Sequence, residues 1–349
     1  MFPRKPLYIC LLLGALPSLA LAQVAVDQTG TDNEIILEQG GGTGNSASQT
    51  QDGVLNRSRV VQTGNGNEAT TNQFGVENQA QIIQTGDLNQ ASIYQANLDY
   101  VHSAAVEQVG SANVIELTQT GGNGSGAVLY QEGARNVQRI DQFYYVNSLD
   151  ASSQGDDNLI EVTQNGGGSA TLRQLGDANR IAVYQETPAY GGSVYINQDG
   201  TQNQAAVRQV GGRYYTGEVR LDQRGEANAA RVEQWSGFST VAFSQDGVGN
   251  ALVVQQSTRS GTVRGSSVGN DNRVNVEQGY DGPTLDIAQN GSANEIDVVQ
   301  EAAYGTASIS QTGDANVAVL NQVTGFALQP PSATIVQNGT GNSATVTQR

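Results

Sequence analysis

The sequence predicts an all-β fold: a β-solenoid of stacked strand-turn-strand repeats, with two strands per coil and about fourteen coils. Three observations predict it. One short window of glutamine, glycine and asparagine recurs along nearly the whole chain, and apolar and polar residues alternate with period two after each window. Glycine and asparagine also interrupt any helical pattern. We therefore expect function to lie in the repeated array and not in a single pocket.

The recurring window is Gln-x-Gly-x-x-Asn-x5-Gln, and its closing glutamine often opens the next window. Two windows deviate: Gln154 stands one residue too close to Gly155 and Asn158, and Ser267 takes the place of a glutamine. The window fits without exception at fourteen starting positions, which are Gln28, Gln51, Gln62, Gln73, Gln84, Gln108, Gln131, Gln174, Gln198, Gln223, Gln245, Gln289, Gln311 and Gln337. Such regularity indicates many copies of one small structural unit.

An eleven-residue period fits two structures, because eleven residues also complete three turns of the helices in a right-handed coiled coil. The residue types favour strands, since each window carries glycine and asparagine and then β-branched residues at alternate positions. In residues 89–95, for example, Asn89, Ala91, Ile93 and Gln95 share one face. Looser segments between the windows keep this parity, and we expect them to supply the second strand of each coil.

Stacking of the coils places each inward glutamine and asparagine above its counterpart in the next coil. There each amide can both donate and accept along the stack, whereas a buried amide without a partner costs about 1–3 kcal/mol. The predicted amide-ladder residues are Gln28, Asn33, Gln39, Gln51, Asn56, Gln62, Asn67, Gln73, Asn78, Gln84, Asn89, Gln95, Gln108, Asn113, Gln119, Gln131, Asn136, Gln142, Gln174, Asn179, Gln185, Gln198, Asn203, Gln209, Gln223, Asn228, Gln234, Gln245, Asn250, Gln256, Gln289, Asn294, Gln300, Gln311, Asn316, Gln322, Gln337, Asn342 and Gln348.

The chain must turn at each Gly-x-x-Asn element, and glycine tolerates the positive φ that a tight turn requires. The predicted turn glycines are Gly30, Gly53, Gly64, Gly75, Gly86, Gly110, Gly133, Gly176, Gly200, Gly225, Gly247, Gly291, Gly313 and Gly339. The first and last coils leave strand edges and amides without partners, which favours the addition of another molecule.

Residues 1–22 are typical of a secretory signal peptide. Arg4 and Lys5 precede an apolar run over residues 7–19, and small residues follow at 20–22. The apolar run is too short to span a membrane as a helix. We therefore expect an exported mature chain, residues 23–349, that forms one repeat domain without a membrane span.

The mature chain contains no lysine, and removal of Arg4 and Lys5 changes the formal net charge from −16 to −18. Nucleic acids and anionic lipids bind dense lysine and arginine, so we expect neither as a partner. His102 is the only histidine, and the only cysteine, Cys10, lies in the signal peptide. Nucleophilic triads and histidine-rich metal sites are therefore excluded, and we expect no enzymatic activity and no cofactor.

Several side chains outside the ladders are of types that often occur in binding sites. His102 is predicted to be an exposed loop residue beside Tyr100. Trp235 and the pairs Tyr144-Tyr145 and Tyr214-Tyr215 can contact sugars or stack between filaments, although packing in loops or on the flanks is the simpler interpretation.

The windows resemble the curlin repeat of bacterial curli subunits, which pairs Gln-x-Gly-x-x-Asn with a small residue two places on and a closing glutamine. Asn89, Ala91 and Gln95 match that pattern directly, and residues 337–348 are similar to the closing repeat of the major curlin. The resemblance covers residues 28–348. This chain has several times more repeats than the familiar subunits, and its first window begins five residues after the expected cleavage site.

The resemblance implies an extracellular, cross-β functional amyloid of a Gram-negative bacterium. Such a subunit is exported through the periplasm and a dedicated outer-membrane channel. It polymerises with copies of itself on a surface-bound nucleator subunit, and the fibres build biofilm matrix and support adhesion and surface colonisation. By the same resemblance, the amide-ladder residues drive assembly.

Other interpretations stay open at this stage. A nucleator or a monomeric surface adhesin could have the same fold without forming long fibres. An ice-binding solenoid would show regular ranks of threonine, whereas the outward positions here mix threonine, glutamate, arginine, tyrosine and valine. Permanent disorder fits the low hydrophobicity but not the strict spacing.

Overall fold

A computed structural model describes residues 11–13, 22–121, 123–187, 191–211, 217–235, 237–325 and 329–349. All regular structure in these residues is β-strand, and no helix among them has the length and apolar character needed to cross a membrane. The predicted β-solenoid, with two strands per coil and about fourteen coils, is confirmed. Most of the predicted signal peptide lies outside the described residues.

The chain divides into two compact units, Met1–Gly167 and Gly168–Arg349. Strands are numbered in chain order, and odd-numbered and even-numbered strands form separate sheets. In the first unit the odd sheet contains β1 (Leu11–Leu13), β3 (Glu34–Gly40), β5 (Arg57–Thr63), β7 (Gln79–Asp87), β9 (Ser103–Ser111), β11 (Gly126–Ala134) and β13 (Ser148–Gln154). Its even sheet contains β2 (Gln23–Thr31), β4 (Ser46–Val54), β6 (Glu68–Val76), β8 (Gln90–Ala96), β10 (Val114–Thr120), β12 (Val137–Phe143) and β14 (Leu159–Gly166).

The second unit repeats this arrangement. Its odd sheet contains β15 (Ser169–Leu175), β17 (Ser193–Thr201), β19 (Glu218–Glu226), β21 (Thr240–Val248), β23 (Thr262–Asn270), β25 (Thr284–Asn290), β27 (Thr306–Thr312) and β29 (Ser332–Asn338). Its even sheet contains β16 (Arg180–Thr187), β18 (Gln204–Val210), β20 (Ala229–Trp235), β22 (Ala251–Gln256), β24 (Arg273–Gln278), β26 (Glu295–Ala302), β28 (Val317–Gly325) and β30 (Ser343–Gln348).

Neighbouring strands of each sheet are parallel and in register. Leu117 of β10, for example, pairs with Ile93 of β8 and with Ile140 of β12. Because side chains alternate between the two faces of a strand, this register gives every coil the same inward and outward positions. Equivalent residues of successive repeats therefore lie directly above one another.

The core lies between the two sheets, whose inner faces touch. Gln49 of β4 donates to Ser58 Oγ of β5 at 2.7 Å. Apolar side chains and amides share these inner faces, and burying each large apolar side chain stabilises the fold by about 1.5–3 kcal/mol. The largest fully buried side chains are Ile82, Ile93, Ile115, Leu129, Ile140, Ile160, Leu172, Ile181, Ile196, Leu221 and Leu252.

Candidate functional site

A ladder of glutamine side chains runs along the inner face of each sheet. Gln234 Nε2 donates to Gln256 Oε1 at 2.9 Å, and Gln256 Nε2 donates to Gln278 Oε1 at 2.8 Å. The other Gln256 amide hydrogen is directed at the Thr240 carbonyl oxygen at 3.4 Å. The Gln256 side chain is fully buried, so its hydrogen bonds depend on the coils on either side.

Every predicted glutamine occupies this inward position. Those in the odd sheets are Gln39, Gln62, Gln84, Gln108, Gln131, Gln174, Gln198, Gln223, Gln245, Gln289, Gln311 and Gln337. Those in the even sheets are Gln28, Gln51, Gln73, Gln95, Gln119, Gln142, Gln185, Gln209, Gln234, Gln256, Gln300, Gln322 and Gln348. Gln164 and Gln278, which the predicted set lacks, occupy the same position.

A ladder of asparagines at the corners donates in the opposite direction. Asn316 donates its backbone N–H and its side-chain Nδ2 to Asn294 Oδ1 in the preceding coil, at 3.1 and 3.0 Å. Its Nδ2 also lies 2.8 Å from the Gly339 carbonyl oxygen in the next coil. The glutamine ladders thus donate toward the C-terminal coils, whereas the asparagine side chains donate to one another toward the N-terminal coils.

The two kinds of corner differ in their asparagines. Corners that lead from an odd to an even strand keep an asparagine throughout, and the predicted ones there are Asn67, Asn89, Asn113, Asn136, Asn179, Asn203, Asn228, Asn250, Asn294, Asn316 and Asn342. Asn45, Asn158 and Asn272 occupy the same place. Corners that lead from an even to an odd strand carry only Asn33, Asn56 and Asn78 of the predicted set, and His102 then takes the place of the asparagine.

The turn glycines are required for space as well as for conformation. Gly247 has a φ of 125°, and a Cβ there would lie 2.0 Å from the carbonyl oxygen of Gly269 in the next coil. All predicted turn glycines have positive φ, and all except Gly339 would place a Cβ 1.9–2.2 Å from a carbonyl oxygen of the next coil. At Gly339, in the last coil, the nearest atom is Asn342 Nδ2 at 3.5 Å.

A second left-handed residue lies immediately before the ladder asparagine. Leu88 has a φ of 59°, Ala293 of 55° and Gly341 of 69°. Left-handed backbone is unfavourable for residues with a Cβ. The sequence window leaves this position unrestricted, so the pattern of residue types gave no signal for it.

The outermost coils leave inward groups open. Val24 of β2 is 41% exposed, whereas Ile115 at the equivalent position of β10 is fully buried. Among the described residues, Gln28 Oε1 and Asn342 Oδ1 have no hydrogen-bond partner. The ladders therefore end in an open acceptor at each of these two positions.

Gln154 does not belong to a ladder. Gln131 of β11 pairs with Ser153 of β13, so Gln154 points outward and donates to Glu132 Oε2 at 2.9 Å. Ser153 is buried in the place of the glutamine, and its spacing to Gly155 is that of a normal window. The deviation recognised in the sequence is therefore one of residue type and not of spacing.

The prediction that His102 is exposed is wrong, because its side chain is fully buried at a corner. The Ser125 backbone N–H donates to His102 Nδ1 at 3.0 Å, and His102 Nε2 lies 3.3 Å from the Ala96 carbonyl oxygen. Burial lowers the pKa of His102 and outweighs the hydrogen bonds to the backbone of Ala96 and Gly121, which raise it.

The singled-out aromatic residues lie outside the core. Tyr144 and Tyr145 are exposed at the corner between β12 and β13, and Trp235 is 41% exposed at the end of β20. Tyr214 and Tyr215 lie outside the described residues.

Within the described ranges, no three histidine, cysteine, aspartate or glutamate side chains come together as a metal site would require. The chain matches no protein-family model and no curated protein. A functional proposal therefore has to start from the ladder geometry and from the resemblance of the windows.

Proposed function

We propose that this chain is a secreted structural subunit that assembles end to end into extracellular, curli-like amyloid fibres of a biofilm matrix, which support adhesion and surface colonisation. The observation that carries the proposal is the opposite direction of the two kinds of ladder. Gln322 Nε2 donates to Gln348 Oε1 at 2.8 Å in the last coil, whereas Asn342 Nδ2 donates back to Asn316 Oδ1 at 2.8 Å. The two ends of the stack therefore present different hydrogen-bonding groups.

The C-terminal end of one copy complements the N-terminal end of another. Gln348 donates one amide hydrogen to the Ser332 carbonyl oxygen and has a second available for the Gln28 Oε1 of an added copy. Asn342 Oδ1 is a further open group at the C-terminal end, equivalent to Asn316 Oδ1, which accepts the backbone N–H of Asn342. Joining two N-terminal ends would instead place acceptor against acceptor.

Head-to-tail addition also covers the apolar groups and strand edges of the end coils. The exposed Val24 and the half-buried Val346 would each gain a neighbouring coil, and the edges of β2 and β30 would pair with one another. A contact between two different surfaces leaves a new free surface after each addition, so it generates an open filament when the rotation does not close a ring.

The signal-peptide region affects one of these edges. Leu11–Leu13 pairs with β3, with Leu11 opposite Leu37 and Leu13 opposite Gln39. Leu11–Leu13 therefore lie at the N-terminal end, in the proposed contact between copies. Cleavage before Gln23 would remove them from that contact, so we expect maturation to precede assembly.

The partners follow from the same proposal. The chain binds copies of itself, and by its resemblance to curlins it uses a nucleator subunit and an outer-membrane export channel. Within each unit, every glutamine ladder donates its hydrogen bonds in the same direction, which supports a polar fibre. A nucleator would start such a fibre from one end.

Assembly of the purified mature chain tests the proposal. Residues 23–349 are diluted from denaturant and followed by thioflavin fluorescence and electron microscopy, with the full chain, residues 1–349, as the comparison. We expect fibres that seed fresh monomer, and slower growth when residues 1–22 are retained. A stable, folded monomer that forms no fibres would overturn the proposal in favour of a monomeric solenoid adhesin.

A further inference from the structure

An arginine lies between two aromatic rings on the outer flank of the second unit. Arg208 Cζ is 5.3 Å from the ring centre of Tyr184 and 4.3 Å from that of Trp235. The three residues come from neighbouring strands of the even sheet, β16, β18 and β20. Stacking on aromatic faces fixes the planar guanidinium and reduces the entropy lost when its N–H groups bind a ligand.

Arg208 forms no direct ion pair with the neighbouring carboxylates that the structure describes. Among the described residues no carboxylate lies within ion-pair distance of it. Glu186 accepts the Tyr184 hydroxyl at 2.8 Å, and Glu233 accepts Arg231 Nε at 3.0 Å. Glu233 lies opposite Arg208 in the strand register, but both of these carboxylates bind other partners.

A second arginine on an aromatic ring provides a contrast. Arg220 Cζ lies 4.5 Å from the ring centre of Tyr195, but its Nε donates to Asp222 Oδ2 at 3.1 Å. Both arginines stack on tyrosine, and only Arg208 has its N–H groups free of a carboxylate. The guanidinium N–H groups of Arg208 are therefore preorganised for an anion that comes from outside the chain.

The surface around Arg208 suits a flat, partly apolar ligand. Trp235 is 41% exposed, and small outward side chains lie beside the stacked ring, with Ala182 opposite Ala206 in the register. Gln204, an exposed amide on the same face of β18, can hydrogen-bond hydroxyl groups. The exposed indole face thus offers an apolar contact beside the hydrogen-bonding groups of Arg208 and Gln204.

The distribution of charge allows an anionic ligand here. Residues 168–235 contain seven arginines and seven acidic residues, whereas residues 23–167 contain four arginines and seventeen acidic residues. The first stretch is formally neutral and the second carries a formal charge of −13, which repels polyanions.

We infer that Arg208 and Trp235 form a binding site for an acidic polysaccharide. The guanidinium of Arg208 pairs with the carboxylate of a uronic acid, and the C–H face of the same sugar ring packs on the indole of Trp235. Tyr184 holds the arginine from the other side. This site lies on the outer flank, so it is independent of the stacking proposed for the two ends.

Binding of oligogalacturonate to the folded mature chain tests this site by isothermal titration calorimetry. The methyl-esterified oligomer serves as the ligand control, because it keeps the sugar rings and lacks the carboxylates. We expect Arg208→Gln and Trp235→Ala each to weaken binding about tenfold or more. Arg208→Lys, which keeps the charge and loses the planar fork, should give an intermediate loss.

Arg220→Gln is the matched protein control, since it removes an arginine that already has a carboxylate partner. It should leave the affinity within about twofold of the unmodified chain, and circular dichroism shows whether each variant keeps its strands. Absence of binding, equal binding of the esterified oligomer, or unchanged affinity in Arg208→Gln would overturn the inference. Equally tight binding of polyglutamate would also overturn it, in favour of contact with protein carboxylates.

Discussion

The backbone N–H of Ser125 donates to Nδ1 of His102 at 3.0 Å, at a corner where the preceding coils stack asparagine on asparagine. Because Nδ1 accepts this bond, the ring proton lies on Nε2, which faces the Ala96 carbonyl oxygen at 3.3 Å. Protonation would place a second hydrogen on Nδ1 and direct it at the Ser125 N–H. The buried histidine thus fits its corner only in the neutral form.

This geometry predicts a loss of stability on acidification. Burial lowers the pKa of His102 below its ordinary value of 6.5, so the folded chain binds the proton more weakly than the unfolded chain. The neutral His102 therefore contributes its full stabilisation when the pH is above its ordinary pKa, and this stabilisation is lost as the pH falls through the lowered pKa of the folded chain. We expect the free energy of unfolding, measured by urea denaturation over a pH series, to fall more steeply for the unmodified chain than for His102→Asn. Parallel pH profiles for the two chains would contradict the assignment.

Gln256→Ala is predicted to destabilise the folded chain. It removes the donor to the buried Gln278 Oε1, which is left without a partner, and it removes the Gln256 acceptor of Gln234 Nε2, which keeps only backbone carbonyl oxygens. We expect a loss of about 2–4 kcal/mol in the free energy of unfolding. Gln255, the next residue, points outward and is exposed, so Gln255→Ala should change stability by less than about 0.5 kcal/mol. Urea denaturation of the monomer before assembly compares the two, and equal effects would rule out the ladder as a source of stability.

Ala293→Gly is predicted to stabilise the chain, although glycine usually weakens a sheet protein. Ala293 has a φ of 55°, where a side chain is strained, so glycine should gain about 0.5–1 kcal/mol. Ala288 is exposed within β25, and there the same substitution should cost a similar amount because glycine is more flexible in the unfolded chain. Thermal denaturation distinguishes the two signs. A loss of stability in both variants would show that the left-handed turn carries no strain.

The inward faces could be predicted from the sequence because a period of two is a local property of strands. Ile115 and Leu117 alternate with polar residues, and both are buried. The corner asparagines were harder to recognise where the spacing changes. Asn45 follows Gln39 by six residues instead of five, so it falls outside the window although it occupies the same place.

Other features depend on register and could not be derived from local pattern. His102 differs in type from the asparagines whose place it takes, and a single histidine has no period to detect. Tyr184, Arg208 and Trp235 are more than twenty residues apart from one to the next in the sequence. Only the parallel pairing of β16, β18 and β20 brings their side chains together.

The most direct test of head-to-tail stacking is growth of fibres from Gln348→Ala. Gln348 lies in the last strand, where its Oε1 accepts from Gln322 Nε2 at 2.8 Å and its Nε2 donates to the Ser332 carbonyl oxygen at 2.9 Å. In the proposed fibre its second amide hydrogen binds Gln28 Oε1 of the next copy. The substitution therefore removes a donor that each added copy needs.

Thr345→Ala is the matched control, because Thr345 is an exposed, outward residue of the same strand. The measurement is the rate of seeded growth, followed by thioflavin fluorescence with preformed fibres of the unmodified chain as seeds. Head-to-tail stacking predicts that Gln348→Ala grows at least about tenfold more slowly than the unmodified chain, while Thr345→Ala stays within about twofold. Equal growth rates for Gln348→Ala and the unmodified chain would contradict stacking through the last coil.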